Sequence, residues 1–136
     1  MADYFTNFSL VVKLKEPERE YALGLATIAS SHRFDSEQVP ADFPPDLALV
    51  LEGWDFETEQ DKDGIWLHSQ NGGIDAACVF IQHLLRKFSP DGSVSFEWSH
   101  DCTKPRLDAY GGGAAFITAR KIKSMSTSNW LQKVAR

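Results

Sequence analysis

Within the segment Ser99-His100-Asp101-Cys102-Thr103-Lys104-Pro105-Arg106, a thiol and an imidazole stand two residues apart. Nucleophilic catalysis uses that pairing, with the imidazole taking the thiol's proton. His68 is a second imidazole that could serve as the base. Lys104 and Arg106 would lower the thiol's pKa and could hold an anionic substrate, while Asp101 opposes the first effect. The pattern is local and matches no catalytic signature, so no residue receives a catalytic role. An ordinary exposed thiol in a polar loop is the simpler reading. His68, His100, Cys102 and Asp108 also carry metal-binding atoms. However, a spacing of two with no second ligand pair is not a zinc pattern, so neither a metal nor a cofactor is expected.

Two glycine-rich stretches invite phosphate-binding readings. Gln70-Asn71-Gly72-Gly73 opens a helix, where bare amides attract anions. Asp75 already puts a carboxylate in that first turn, which favours a plain glycine-rich helix start. Gly111-Gly112-Gly113 precedes a strand rather than a helix. It suits an unusual turn, a bulge or the close approach of another backbone.

The elements that must position these groups follow from periodicity. Phe8, Leu10, Val12 and Leu14 alternate with Ser9, Val11 and Lys13, which predicts a strand over 8–14. Pro17 with Glu18 and Glu20 starts a helix over about 17–31, striped by Tyr21, Leu25 and Ile28. A short helix follows Pro45 and ends at Gly53. Asp55 to Gln60 and Ile65 to His68 alternate around the turn Asp61-Lys62-Asp63-Gly64, giving a hairpin. Ile74, Ala77, Cys78, Ile81, Leu84, Leu85 and Phe88 fall on one stripe of a helix over 73–88. Val94, Phe96 and Trp98 mark another strand, Ser99 to Gly112 a polar loop, and Ala114 to Ile122 a last strand. Ser126 or Thr127 caps a short final helix. Cys78, Trp54 and Trp98 belong to the core or its edge, and His83 to the solvated surface.

This order predicts a single α+β domain over 1–136. Its plan is ferredoxin-like (split βαβ): an antiparallel sheet of four to five strands with two main helices on one face. The two crossovers make the first two strands run one way and the next two the other. Segments 32–46, 68–73 and 99–112 then share one rim. That rim gathers His32, Arg33 and Gln70 with the binding candidates His68, Asn71, His100, Asp101, Cys102, Lys104, Arg106, Asp108 and Tyr110. Loops on a rigid scaffold are where function usually sits.

A net charge of −5, from 14 basic and 19 acidic residues among 136, disfavours nucleic acid. The open sheet face, with Glu57, Glu59, Glu97 and Trp66, also lacks the basic-aromatic pattern of an RNA-binding sheet. Trp66 there suggests packing against a terminal segment or a second subunit, so a homodimer is one expectation. Two unpaired cysteines suggest a reducing cytoplasm. No apolar run reaches the roughly 18 residues that cross a bilayer, and no secretory leader is expected.

The strings GGIDAACVFIQHLLRKF and FEWSHDCTKPRLDAYGGGAAFITARKIKSMSTSNWL resemble a group of small proteins encoded on bacterial plasmids and integrative elements, over about residues 4–131. The resemblance implies a bacterial, mobile-element setting, in which small proteins often bind other proteins, host defence machinery among them. It brings no activity and no functional residues. The expectation is therefore a non-enzymatic module that binds a protein partner. The alternative is a small enzyme acting on an anionic substrate with a Cys/His site in the 99–112 loop.

Overall fold

In the computed structural model, which describes residues 3–104 and 110–135, six strands form one sheet in the order β2-β3-β1-β4-β5-β6. The strands are β1 Tyr4–Lys13, β2 Glu57–Asp61, β3 Gly64–Ser69, β4 Ser93–Cys102, β5 Gly111–Thr118 and β6 Ile122–Ser126. Every neighbouring pair is antiparallel. The helices are α1 Glu16–Ser31, α2 Pro45–Ala48, α3 Ile74–Phe88 and α4 Thr127–Val134, with 3-10 turns at Ser36–Gln38 and Leu51–Gly53.

Local chemistry starts and stops these elements. Glu18 reaches back to accept from the Lys15 amide at 2.9 Å, closing the first turn of α1 just after Pro17. Arg86 and Lys87 occupy the last turn of α3, where cations suit the helix dipole. Ser126 caps α4 by accepting from the Asn129 amide at 3.2 Å.

Alternation along the strands decides which face is buried. Phe8, Val12, Ile65, Leu67, Phe96 and Ile117 point to the side covered by α1 and α3 and are buried there. Leu10 and Val94 pack against the same core less completely. Trp54, Phe56 and Phe80 fill one end of it, with ring centroids 4.8 Å apart for Trp54–Phe56 and 5.1 Å for Trp54–Phe80. Cys78 is buried in the core, and Trp98 lies at its margin.

Three expectations need correction. The sheet has six strands, because the stretch read as a single strand over 114–122 is a hairpin of β5 and β6. Its turn, Thr118 to Lys121, contains no glycine, proline or asparagine. The Thr118 hydroxyl makes the turn instead, accepting from the amides of Arg120 at 3.2 Å and Lys121 at 3.0 Å. Second, Ser99 to Cys102 is the end of β4 rather than loop, since it pairs with Tyr4 to Asn7 of β1. Cross-strand pairing there outweighs local polarity. Third, His83 is no solvated surface residue. Its Nε2 meets the Tyr21 hydroxyl at 2.8 Å and its Nδ1 meets Asp46 Oδ2 at 3.1 Å, tying α1, α2 and α3 together.

Candidate functional site

Thr6 of β1 is the hub of the rim. Its amide donates to Gln70 O at 3.0 Å, and its carbonyl accepts from the Gly72 amide at 3.1 Å. Its hydroxyl meets His100 Nδ1 at 2.9 Å across the β1–β4 ladder. Beside it, Asn7 Nδ2 donates to Asp101 Oδ2 at 3.2 Å, and the Thr103 amide donates to Asp3 O at 3.0 Å. The start of β1, the segment 69–72 and the end of β4 are thus joined by hydrogen bonds, although about 100 residues separate the outermost partners in sequence.

Strand parity sorts the candidates onto two faces. Asn7, Ser9, His68 and Asp101 belong to the open face, while Thr6, His100 and Cys102 belong to the helix-covered face. His68 therefore lies on the opposite side of the sheet from Cys102, and only His100 shares a face with that thiol. Tyr110 donates its hydroxyl to Cys102 O at 3.1 Å, with Lys104 O at 3.4 Å. Asn71 forms a bridge with Thr6, and its amide donates to Ser69 Oγ at 2.9 Å. Arg106 and Asp108 lie outside the described residues.

A cleft of about 990 Å³ runs from this rim toward the end of α1. Asn7, Ser9, Gln70, Asn71 and Ser99 line one side of it, and Arg33, Trp54 and Asp55 the other. Arg33 is held by Asp55 at 2.8 Å and by Trp54 O at 3.2 Å. Glu57 and His68 stand at its open-face side. Trp66 is 37% exposed, but its indole is engaged by its own sheet. It donates to Ser9 Oγ at 2.7 Å and stacks 3.9 Å from the His68 ring. The larger exposed apolar groups of the open face are Phe116 and Met125 of the β5–β6 hairpin.

Sequence reasoning missed Asn7, Ser9, Ser99 and Asp55 as cleft residues. Their signal was parity: each strand residue is polar and sits two places from another polar residue on the open face. It also missed the Asp46–His83–Tyr21 chain. That arrangement resembles a proton relay, but burial and then the Asp46 charge raise the Tyr21 pKa above its ordinary value. The chain Asp46–His83–Tyr21 links α2, α3 and α1 side by side.

The two cysteines differ in the same physical way. Burial, aided by Asp75, pushes the Cys78 thiol up to about 12. A thiol-specific reagent at pH 8 should label one cysteine per folded chain, Cys102, and both only after unfolding. The sign of the linkage is fixed. A raised folded pKa adds stability that is complete below the unfolded value of about 8.5 and is lost as pH rises toward 12. Rapid labelling of Cys78 in the folded chain would contradict its placement.

Among the described residues, no helix is long and apolar enough to cross a membrane. The chain matches no protein-family model, and neither a curated protein nor a solved structure is significantly similar to it.

Proposed function

We propose that this chain is a non-enzymatic module that grips a protein partner with its polar rim and the adjoining cleft. The supporting observation is the Thr6 hub, which fixes three separated segments into one rigid polar surface. Several polar side chains at the rim and cleft are engaged with one another: His100 with Thr6, Asp101 with Asn7 and Arg33 with Asp55. Pre-organised polar groups around a concavity suit recognition, because little ordering cost remains at binding. The net charge of −5 weighs against nucleic acid as the partner.

We read β1 to β4 with α1 and α3 as the ferredoxin-like plan, with β5 and β6 added beside β4. The bacterial mobile-element setting and the cytoplasmic location belong to the same proposal. They rest on the resemblance of the 72–88 and 96–131 strings and on the two free cysteines.

A photo-crosslinking amino acid at Asn71, Asp101 or Asp91 tests the reading in cells. Asp91 is exposed and lies at the opposite end of β4 from the rim. The expected result is one shared heavier adduct from Asn71 and Asp101, and none from Asp91. Equal adducts from all three positions, or an adduct with the mass of two copies of this chain, would reject it. The second outcome would point to self-association instead.

A further inference from the structure

Glu57 and Glu59 are two residues apart on β2, so both side chains leave the same face of the sheet. His68 is the cross-strand partner of Glu57 on β3 and leaves that face too. The three meet. His68 Nε2 is 2.5 Å from Glu59 Oε2 and 3.6 Å from Glu57 Oε2. One donor atom from each residue lies within 4.8 Å of the other two. A single imidazole N–H satisfies one carboxylate, which leaves a second negative charge beside the first.

The imidazole is also braced, as a ligand ring must be. Trp66 stacks on it, and Ser9 holds the indole in place. A separate observation concerns the cleft that Glu57 and His68 line. The cleft, of about 990 Å³, leaves room beside these two side chains for a further ligand on an ion held there.

We propose that Glu57, Glu59 and His68 hold a divalent first-row transition-metal ion, zinc by preference, at the mouth of the cleft, with a coordination position left for water or an oxygen-bearing ligand. Two carboxylates and an imidazole form a three-ligand set of the kind that zinc accepts while keeping a fourth position open. The imidazole argues against calcium and magnesium, which take oxygen donors. The site does not depend on the proposed protein partner.

Calorimetric titration of the full chain with zinc chloride alone tests this. One ion should bind per chain. Glu57→Gln, Glu59→Gln and His68→Ala should each weaken binding by at least about tenfold. Glu97→Gln, on the same face but on β4, should leave it unchanged. Circular dichroism identifies any variant that fails to fold, and the two glutamine variants keep the test available if His68→Ala does. Manganese should broaden the His68 ring signals in NMR spectra before those of His32, His83 or His100. Absence of binding to folded protein, binding indifferent to all three variants, or first broadening at His100 would overturn the proposal.

Discussion

Gly113→Ala is expected to destabilise the protein by at least about 3 kcal/mol and to detach the β5–β6 hairpin from the core margin. Gly113 sits opposite Trp98 on β4 and opposite Ser126 on β6. A Cβ added there would fall 2.3 Å from Met125 O and 2.3 Å from Trp98 Cζ2. The first obstacle is backbone in the β5–β6 ladder and cannot move without breaking it. The second is an indole ring packed near Phe96, with centroids 6.0 Å apart. Overpacking alone costs about 1–3 kcal/mol, and disturbing the ladder adds to it. Chemical denaturation measures the loss. The double variant Trp98→Ala/Gly113→Ala should recover part of it relative to the two single changes summed, because only the ring clash is relieved. Full stability in Gly113→Ala would show that the two strands do not approach this closely.

The second large effect is expected at Trp54. This residue is 1% exposed, stacks on Phe56 and packs at a tilt against Phe80. Trp54→Ala should cost about 3–5 kcal/mol, as deletion of a buried aromatic ring does. Trp54→Phe should cost less than half as much. It keeps most of the ring contact and removes an indole N–H that has no partner among the described residues. The Trp54 carbonyl that accepts from Arg33 belongs to the main chain and is kept in both variants, so the losses report the side chain. Thermal melts of the three proteins at one pH decide the matter. Equal losses for the two variants would mean that the N–H finds an acceptor and the ring contributes little.

The core was legible because burial imprints a period on the sequence. Phe8 and Val12 keep the even places of β1, Ile65 and Leu67 stand two apart on β3, and Ile81, Leu84 and Leu85 recur at helical spacing. Elements whose stability came from pairing elsewhere were harder to see. Ser99 to Cys102 reads as loop by composition and is held as strand because Tyr4 to Asn7 lies on one side of it and, at Ser99 and His100, Gly112 and Gly111 lie on the other. The Thr118 turn carries no glycine or proline signal, since one hydroxyl does the work. His83 looked solvated because its partners, Tyr21 and Asp46, come from two other helices.

The candidate sites divide along the same line. That segment 69–72 and the end of β4 share one rim followed from element order and crossover rules. Which face each side chain takes did not. His68 and His100 look interchangeable in a list of titratable residues, and a register of three places along β1 puts them on opposite sides of the sheet. Glu57 and Glu59 were readable as same-face neighbours, but their meeting with His68 needed the β2–β3 register.

The sequence by itself determined the α+β class, the two main helices and the apolar residues that face inward, because hydrophobic periodicity is a local property written residue by residue. Only the tertiary structure decided the sixth strand, the Thr6 hub, and the company that His68 keeps. Those depend on pairing and register between segments far apart in the chain, where a shift of one residue would send every side chain to the other face.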